Sequence, residues 1–278
     1  MALLLHTGGT IGMVAGPDGL RPRAGVVEAA VAARRSGLTV HVFDPLLDSA
    51  DVGPAEWNRM LDAIDRHPGV PVLLTHGTDT LSFTGAALSQ ALAGTGRRVI
   101  LCASMTPLGQ GGDAEGNLDI ALSALDGEGG VFLAFNGALL PAGGLVKIDS
   151  HQADAFVAIP QAVAAAPDLR RFDGRRLAIL TLTPGLTPEV LEAMLAPLDG
   201  AVLRVFGAGT MMATPGLAEV MARAVTRGTR IRVVSQCLRG GLAAGSYAAG
   251  AALWQTGVED GGTDTPEAAM IRLWLTTP

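Results

Sequence analysis

Two short segments of this sequence place glycines beside hydroxyl side chains, each directly after an apolar run. The first is His6–Gly12 (HTGGTIG) and the second is Thr75–Thr80 (THGTDT). Glycine lets backbone N–H groups approach a ligand closely, and a threonine hydroxyl is a potential nucleophile or a hydrogen-bonding group for a polar substrate. Neither segment has the glycine spacing of a nucleotide-binding turn or of a phosphate-binding loop. A plain tight turn remains an alternative for either segment alone, whereas the two together favour a site for a small polar molecule.

A single lysine, Lys147, stands among the 20 lysine and arginine side chains of the chain. Arginine stays charged at any accessible pH, whereas lysine can lose its proton in a dry environment. A chain that otherwise uses arginine for positive charge therefore has a chemical reason to keep one lysine, namely proton transfer. Compositional accident is the alternative interpretation, because one residue of one type is weak evidence.

The elements that would position these residues are short apolar runs alternating with helix-like segments. The predicted strands are Leu3–Leu5, Thr39–Phe43, Val70–Thr75, Val99–Cys102, Val131–Phe135, Leu177–Leu182, Ala201–Phe206 and Ile231–Ser235. The predicted helices are Val26–Arg35, Pro54–Arg66, Thr80–Ala93, Ala114–Leu125, Pro188–Leu195, Leu217–Thr226 and Pro266–Leu275. This alternation predicts an α/β fold with an open, doubly wound and mainly parallel sheet. In such folds ligands bind beyond the carboxyl ends of the strands, where both glycine-threonine segments fall.

One polar stretch interrupts the alternation and divides the chain. Residues 161–176 are rich in alanine and arginine and have no strand pattern, so we interpret them as an interdomain linker. Residues 1–160 would then form a larger N-terminal catalytic α/β domain, and residues 177–278 a smaller C-terminal α/β domain. Both lengths fall within the ordinary range of single domains.

The composition argues against several classes of protein. The chain of 278 residues is 49% hydrophobic and 17% charged, and its net charge is −6 without any basic block. These values favour a well-buried core over disorder and speak against a nucleic-acid-binding surface. Cys102 and Cys237 lie far apart and no histidine or cysteine cluster has metal-ligand spacing, so we expect neither a disulfide framework nor a metal. The N-terminus has no basic segment and no apolar run could cross a membrane, so we expect a cytoplasmic protein without cofactors.

The two glycine-threonine segments also resemble the motifs of a known family. Thr7–Ile11 (TGGTI) and His76–Thr80 (HGTDT), in this order and at this spacing, resemble the bacterial-type L-asparaginase family. Further similar segments are DSAD and PAEW within residues 48–57, GDAEGNL at Gly112–Leu118, and VSQCLRGGL in the C-terminal part. The resemblance covers nearly the whole chain and is nearest to cytoplasmic, type I-like members.

The resemblance implies hydrolysis of the side-chain amide of asparagine, and in some members also of glutamine, through a covalent acyl-threonine intermediate. Thr10 matches the family's nucleophile. Thr78, Asp79 and Lys147 match a second catalytic group, in which the lysine acts as a base toward a threonine and the aspartate fixes the lysine. Such assistance is needed because a threonine hydroxyl alone is a poor nucleophile.

The same resemblance suggests which groups hold the substrate. Ser49 and Asp79 match positions that bind the α-carboxylate and α-amino groups, and Ser104 lies where the family lines the amide end of the pocket. The tetrahedral intermediate needs donors for its oxyanion, and backbone N–H groups in the Gly9–Thr10 and Gly77–Thr78 turns are the candidates. Helix or turn capping remains an alternative role for Ser49 and for Asp79.

The chain departs from the family pattern at positions that affect catalysis and affinity. The family usually has a flexible lid with a tyrosine that contacts the nucleophile, but residues 12–25 contain none and the only tyrosine is Tyr247. Either another group polarises Thr10, or a neighbouring chain supplies the polarising group, or the activity is weak or altered. Ala50 falls in the substrate-binding turn, where many members have a polar side chain. His76 we interpret as a hydrogen-bonded structural residue.

These observations predict an L-asparaginase that acts on the small amino acid L-asparagine and binds neither nucleic acid nor membrane. A mixed asparaginase-glutaminase is an alternative, because one methylene changes affinity by only about 1–3 kcal/mol in an apolar pocket. A catalytically weak amino-acid-binding or regulatory protein is the alternative from another class. Analogy with the family suggests a homodimer, or a tetramer built from two dimers.

Overall fold

The structure is a computed structural model that describes residues 1–162 and 165–277 of the chain. Val163 and Ala164, which belong to the predicted linker, and Pro278, which belongs to the predicted C-terminal domain, lie outside the described residues. Within the described ranges, no helix is both long and apolar enough to cross a membrane.

The described residues form two compact units. The N-terminal unit comprises residues 1–158 and 165–172, and the C-terminal unit comprises residues 159–162 and 173–277. Both are mixed α/β structures built on a mainly parallel sheet, larger in the first unit and smaller in the second, which confirms the predicted fold class.

The N-terminal unit is built on a sheet of six strands. In chain order its elements are β1 (Ala2–Gly8), β2 (Met13–Gly16), β3 (Gly19–Pro22), α1 (Val26–Ala32), β4 (Leu38–Leu47), α2 (Pro54–Asp65), β5 (Val72–Thr75), α3 (Leu81–Ala91), β6 (Arg98–Cys102), α4 (Ala114–Ser123), β7 (Gly130–Phe135), β8 (Ala138–Pro141), β9 (Leu145–Lys147) and β10 (Phe156–Ala158). The strand order is β4-β1-β5-β6-β7-β8, and only β8 runs antiparallel to its neighbour. Strands β2 with β3, and β9 with β10, form two separate antiparallel pairs.

Strand β1 lies inside this sheet between β4 and β5, which explains its apolar sequence. All seven of its residues are buried, as are the four residues of β5. A strand covered on both faces needs apolar side chains in every position rather than in alternate ones. The register pairs His6 with Thr75, and Thr75 with Cys102. The carboxyl ends of β1, β5 and β6 therefore lie side by side.

The C-terminal unit is built on a parallel sheet of four strands in the order β11-β12-β13-β14. Its elements are β11 (Leu177–Thr181), α5 (Pro188–Leu195), β12 (Gly200–Val205), α6 (Leu217–Thr226), β13 (Arg230–Ser235), α7 (Ala251–Trp254), β14 (Glu259–Asp260) and α8 (Pro266–Leu275). The starts of α5 and α8 are fixed locally, because Thr187 and Thr265 accept hydrogen bonds from N–H groups of the first turn and a proline follows each.

The structure also contains elements that the sequence patterns did not predict. The segment after β1 forms the β2–β3 hairpin, and Lys147 lies in the short strand β9, which was not predicted. Strands β8, β10 and β14 and the single-turn helix α7 were also missed. These elements have two to four residues each, too few for a hydrophobic period to be visible.

Candidate active site

The two glycine-threonine segments meet at the carboxyl edge of the N-terminal sheet. Gly9, which has a positive φ of 93°, lies directly against the next turn: a β-carbon built on it would come within 2.4 Å of the His76 carbonyl group and 2.5 Å of the Gly77 nitrogen. No side chain fits in that space, so only glycine allows this approach. The contact places Thr10, one residue after Gly9, and Thr78, one residue after Gly77, at neighbouring turns.

The Lys147 ammonium group joins the second turn from the edge strand β9. Its Nζ donates hydrogen bonds to Thr78 Oγ1 at 3.0 Å and to Asp79 Oδ1 at 2.7 Å. The lysine side chain is 20% exposed and the aspartate side chain 65% exposed, so the pair sits at the margin of the unit. The resemblance alone grouped Thr78 and Asp79 with Lys147, and the structure brings both into direct contact with it.

Ser49 is buried and braces the same turn from the segment after β4. Its Oγ accepts a hydrogen bond from the Asp79 N–H at 3.3 Å, and its carbonyl accepts one from Thr80 Oγ1 at 2.6 Å. Gly77 has no side chain at the point where a β-carbon would lie 2.5 Å from Ser49 Oγ. Asp48, not Ser49, caps the short 3₁₀ turn that follows, by accepting from the N–H of the exposed residue Ala50.

Ser104 lies at the end of β6, beside the ends of β1 and β5. It is fully buried, and its hydroxyl donates to the Thr106 carbonyl at 2.7 Å. The loop that follows contacts the first turn, since the Leu108 N–H donates to the Ile11 carbonyl at 3.2 Å. Asp113 holds this loop by accepting hydrogen bonds from the backbone N–H groups of Met105 and Thr106. A third strand end therefore contributes to the same edge of the sheet.

The Thr10 side chain is partly buried and, among the described residues, makes no hydrogen bond. The β2–β3 hairpin follows it, and the backbone of Arg23 donates to the Gly12 carbonyl at the base of that hairpin. The hairpin carries Leu20, 48% exposed, and no tyrosine. Tyr247 lies exposed in the C-terminal unit. Nothing in the described structure supplies the polarising group for Thr10.

Two buried histidines lie beneath the two turns. His6 Nδ1 is 2.6 Å from Thr75 Oγ1, and burial lowers its pKa, with Glu28 opposing the shift. His76 is completely buried, and the loss of hydration lowers its pKa to about 4. Both rings are therefore neutral at pH 7. The sequence offered one signal for His76, its place inside HGTDT, and none for Thr84, to which its ring bonds.

No group of three His, Cys, Asp or Glu side chains with the geometry to hold a metal ion occurs in the described ranges. The arrangement instead combines a free threonine hydroxyl, a lysine bonded to a second threonine, and backbone N–H groups at two adjoining turns. Such a set can attack an activated carbonyl, move a proton and stabilise an oxyanion.

Comparisons with known proteins cover nearly the whole chain. The family model described as asparaginase, N-terminal, matches residues 2–173, and the model described as the glutaminase/asparaginase C-terminal domain matches residues 176–277. L-asparaginase 1 of Escherichia coli (strain K12) is 29% identical over 302 residues, which cover 96% of this chain and 89% of the relative.

The crystal structure of L-asparaginase I from Vibrio cholerae O1 biovar eltor is similar at a TM-score of 0.85 and 29% identity, covering 99% of this chain and 91% of that one. A relative with another name is the 60 kDa lysophospholipase of Homo sapiens, 32% identical over 266 residues that cover 84% of this chain but 45% of that protein.

Proposed function

The chain belongs to the asparaginase family, and from this premise we propose that it hydrolyses L-asparagine to L-aspartate and ammonia with Thr10 as the nucleophile. The observation that carries the proposal is the contact of Gly9 with the His76–Gly77 peptide, because it places Thr10 beside the turn whose Thr78 bonds to Lys147. The names of the relatives support the substrate: L-asparaginase 1 in Escherichia coli and L-asparaginase I in Vibrio cholerae.

In the proposed reaction, Thr10 Oγ attacks the side-chain amide carbon of asparagine. The hydroxyl proton passes through Thr78 to Lys147 Nζ, which accepts it as a neutral amine. The carbon–nitrogen bond then breaks, and Lys147 returns this proton to the leaving nitrogen, which departs as ammonia. A water molecule then attacks the resulting ester, which releases aspartate and restores the Thr10 hydroxyl. Asp79 keeps the Lys147 amino group in place through its 2.7 Å hydrogen bond.

Substrate binding in this proposal uses the braced side of the site. Asp79 and Ser49 would bind the α-amino and α-carboxylate groups, and the neighbouring Ala50 would line the same turn. Ser104 would line the amide end, and its hydroxyl proton is already committed to the Thr106 carbonyl, so it can only accept a hydrogen bond from the substrate. Backbone N–H groups of the Gly9–Thr10 and Gly77–Thr78 turns would hold the oxyanion.

The test is ammonia release from asparagine by the native chain, by Thr10→Ala and by Thr10→Ser. We expect Thr10→Ala to lose about 10⁴-fold or more in kcat, as for removal of other hydroxyl nucleophiles, and Thr10→Ser to keep measurable activity. Intact mass after rapid acid quench should show an acyl adduct on the native chain and none on Thr10→Ala. Equal rates for the native chain and Thr10→Ala would exclude Thr10 as the nucleophile.

Two alternatives are separated by the same assay. If kcat/KM for glutamine comes within about tenfold of that for asparagine, the protein is a mixed asparaginase-glutaminase. Its pocket then accommodates the additional methylene group of glutamine. The unpartnered Thr10 hydroxyl favours the second alternative, an amino-acid-binding protein with little catalysis. Asparagine binding by calorimetry without ammonia release would establish that function.

We also propose a cytoplasmic homodimer, with a tetramer of two dimers as the alternative, and a catalytic domain at residues 1–160 joined by the linker 161–176 to the domain at 177–278. Family analogy supports the assembly. Light scattering on the purified chain distinguishes dimer from tetramer, and limited proteolysis should cut first within residues 161–176 if they form the linker.

A further inference from the structure

A chain of three buried side chains runs beneath the second turn of the site. Trp57 Nε1 donates to Thr84 Oγ1 at 3.0 Å, Thr84 Oγ1 lies 2.9 Å from His76 Nε2, and His76 Nδ1 lies 2.6 Å from the Gly77 carbonyl oxygen. All three side chains are buried. They come from α2, α3 and the end of β5, so the chain connects both helices to the backbone of the turn.

The donor and acceptor of each hydrogen bond in this series follow from its two end groups, the Trp57 indole and the Gly77 carbonyl. An indole N–H can only donate and a backbone carbonyl can only accept. Thr84 therefore accepts from Trp57 and has its own proton free for His76 Nε2, while His76 Nδ1 carries the proton that it donates to Gly77. One arrangement satisfies every polar atom, and it requires a neutral His76. Burial lowers its pKa to about 4, in agreement.

The bond to Gly77 also fixes the next backbone N–H. The Gly77–Thr78 peptide is trans, as are all described peptides except Asp44–Pro45. In a trans peptide the C=O and N–H bonds point in opposite directions. Because the Gly77 carbonyl points at the buried imidazole, the Thr78 N–H points away from it. Within the described part of the chain this N–H has no hydrogen-bond partner.

We propose that His76 is a positioning residue whose imidazole, oriented by Thr84 and Trp57, holds the Gly77–Thr78 peptide so that the Thr78 N–H serves as an oxyanion donor. This inference rests on the proposed hydrolysis of asparagine and adds three residues to it. His76 touches no reacting atom, and its effect passes through one peptide plane. An oxyanion donor must be aimed before the reaction starts, since reorientation during the reaction would cost activation energy.

The Trp57 end of this hydrogen-bonded series is fixed by its own contacts. The Trp57 ring packs edge-on against Phe172 with ring centroids 5.0 Å apart. The adjacent Asn58 side chain exchanges two hydrogen bonds with the Phe172 backbone, at 2.7 and 2.9 Å. The indole therefore has a fixed orientation, which the proton direction along the chain requires.

The experiment compares Thr84→Val, which has the same shape without the hydroxyl, with Thr84→Ser, which keeps the hydroxyl without the methyl group. In Thr84→Val the imidazole loses the donor that selects its tautomer. We expect kcat for asparagine to fall about 10- to 100-fold, below the full loss of an oxyanion donor, with KM within about threefold. Thr84→Ser should keep kcat within about twofold although it leaves a small cavity.

Thr256→Val is the matched control, because Thr256 is a buried threonine of the C-terminal unit whose hydroxyl donates to the Leu253 carbonyl at 2.7 Å. It also loses a buried threonine hydroxyl that donates a hydrogen bond, and it should keep the native kcat. A purely structural Thr84 would lower the unfolding midpoints of both Thr84 variants and leave kcat unchanged in both. That result would overturn the proposal.

A second measurement does not depend on turnover. In ¹⁵N NMR of the native chain, His76 should carry its proton on Nδ1 and not on Nε2, unchanged between pH 8 and pH 5.5. The Thr78 amide resonance should shift in Thr84→Val and return in Thr84→Ser. The opposite tautomer, or an unmoved Thr78 resonance, would overturn the role of His76 even if Thr84→Val does not fold. If the native chain releases no ammonia, the proposed hydrolysis fails, while these spectra still decide whether His76 orients the peptide.

Discussion

The turns after β1 and β5 contain the same residue types, yet they are held in different ways. The first turn is shaped by its own backbone: Gly8 and Gly9 adopt positive φ angles of 130° and 93°, and the Gly12 N–H donates to the Gly9 carbonyl. The Thr10 hydroxyl that follows makes no hydrogen bond among the described residues. The position of this turn is therefore fixed, but the reactivity of its hydroxyl is not.

The second turn is held by side chains from four other places in the unit. Ser49 bonds to the Asp79 N–H, Lys147 bonds to the Thr78 hydroxyl, and Thr84 and Trp57 fix the imidazole under the turn. The comparison teaches that the groups expected to bind substrate and transfer protons already have hydrogen-bond partners within the unit. The Thr10 hydroxyl, the proposed nucleophile, has no such partner among the described residues, and the segment that follows it is the β2–β3 hairpin.

The largest expected effect comes from replacing Lys147, which bonds to the turn after β5, by a residue that cannot accept a proton. Lys147→Arg keeps the positive charge, but a guanidinium does not deprotonate in proteins. We expect kcat to fall about 10²- to 10⁴-fold, the usual contribution of a general base. The free energy of unfolding should change by only about 1 kcal/mol or less, because the ion pair is partly exposed. Full activity in Lys147→Arg would show that proton transfer does not need Lys147 and that the single lysine is a compositional accident.

The contact between the two turns can be broken directly. In Gly9→Ala the new β-carbon would lie 2.4 Å from the His76 carbonyl group at a φ of 93°. We expect a loss of about 2–4 kcal/mol in unfolding free energy and at least about a tenfold loss in kcat. Gly69→Ala is the control, because Gly69 also has a positive φ, 72°, but faces open space. Gly69→Ala should lose only the part of the unfolding free energy that comes from its positive φ, and it should keep kcat. Equal behaviour of the two variants would mean that the turns need not touch.

Acid should destabilise the turn that has the fully buried histidine. Its pKa of about 4 in the folded chain lies below the ordinary value of 6.5, so below pH 6.5 the unfolded chain binds the proton more strongly. The contribution of neutral His76 to the free energy of unfolding is therefore fully present above pH 6.5 and is lost as the pH falls toward 4. Between pH 7.5 and pH 5, His76 should contribute about 2 kcal/mol of this loss, at about 1.4 kcal/mol per pH unit.

Urea unfolding at both pH values measures the loss, and His76→Asn should shrink it by that amount. His6→Asn should shrink it less, because Glu28 opposes the lowering of the His6 pKa. A native chain equally stable at both pH values would show that these rings are not kept neutral by burial.

The smallest expected effect concerns the turn after β1, in which the Thr10 hydroxyl has no hydrogen-bond partner among the described residues. Leu20→Tyr places a phenolic hydroxyl on the hairpin, which otherwise offers Thr10 no polar partner. We expect kcat to rise about two- to fivefold, since the new group can both donate and accept a hydrogen bond. Leu20→Phe, with the same ring but no hydroxyl, should show no gain. A gain in both variants would point to packing of the hairpin rather than to activation of Thr10.

Local patterns in the sequence predicted the larger elements well. The bounds of α5, α6 and α8 agree with the structure, and two of these helices begin with a capping threonine followed by proline. Four other predicted helices run one to three residues too far at the C-terminal end, for example Val26–Arg35 against the observed Val26–Ala32. The last turn of such a helix changes its bonding pattern, as where the Arg34 N–H donates to the Val31 carbonyl, so the sequence pattern does not fix the final residue.

The site was predicted as a set of residue types but not as a geometry. Resemblance grouped Lys147 with Thr78, which lies 69 residues earlier in the chain. The distance between them depends on the placement of β9, a strand of three residues that pairs only with β10. A strand this short has no period of its own, so no local pattern could place Lys147.

By itself the sequence determined the α/β alternation, the two glycine turns at strand ends and the presence of a single lysine. Hydrophobic period, caps and glycine positions act over a few residues, and they can be recognised without a fold. The tertiary structure alone decided that Gly9 touches the His76–Gly77 peptide and that Trp57 sets the proton direction through Thr84. These contacts join residues far apart in the chain, and only the order and register of the strands bring them within hydrogen-bonding distance.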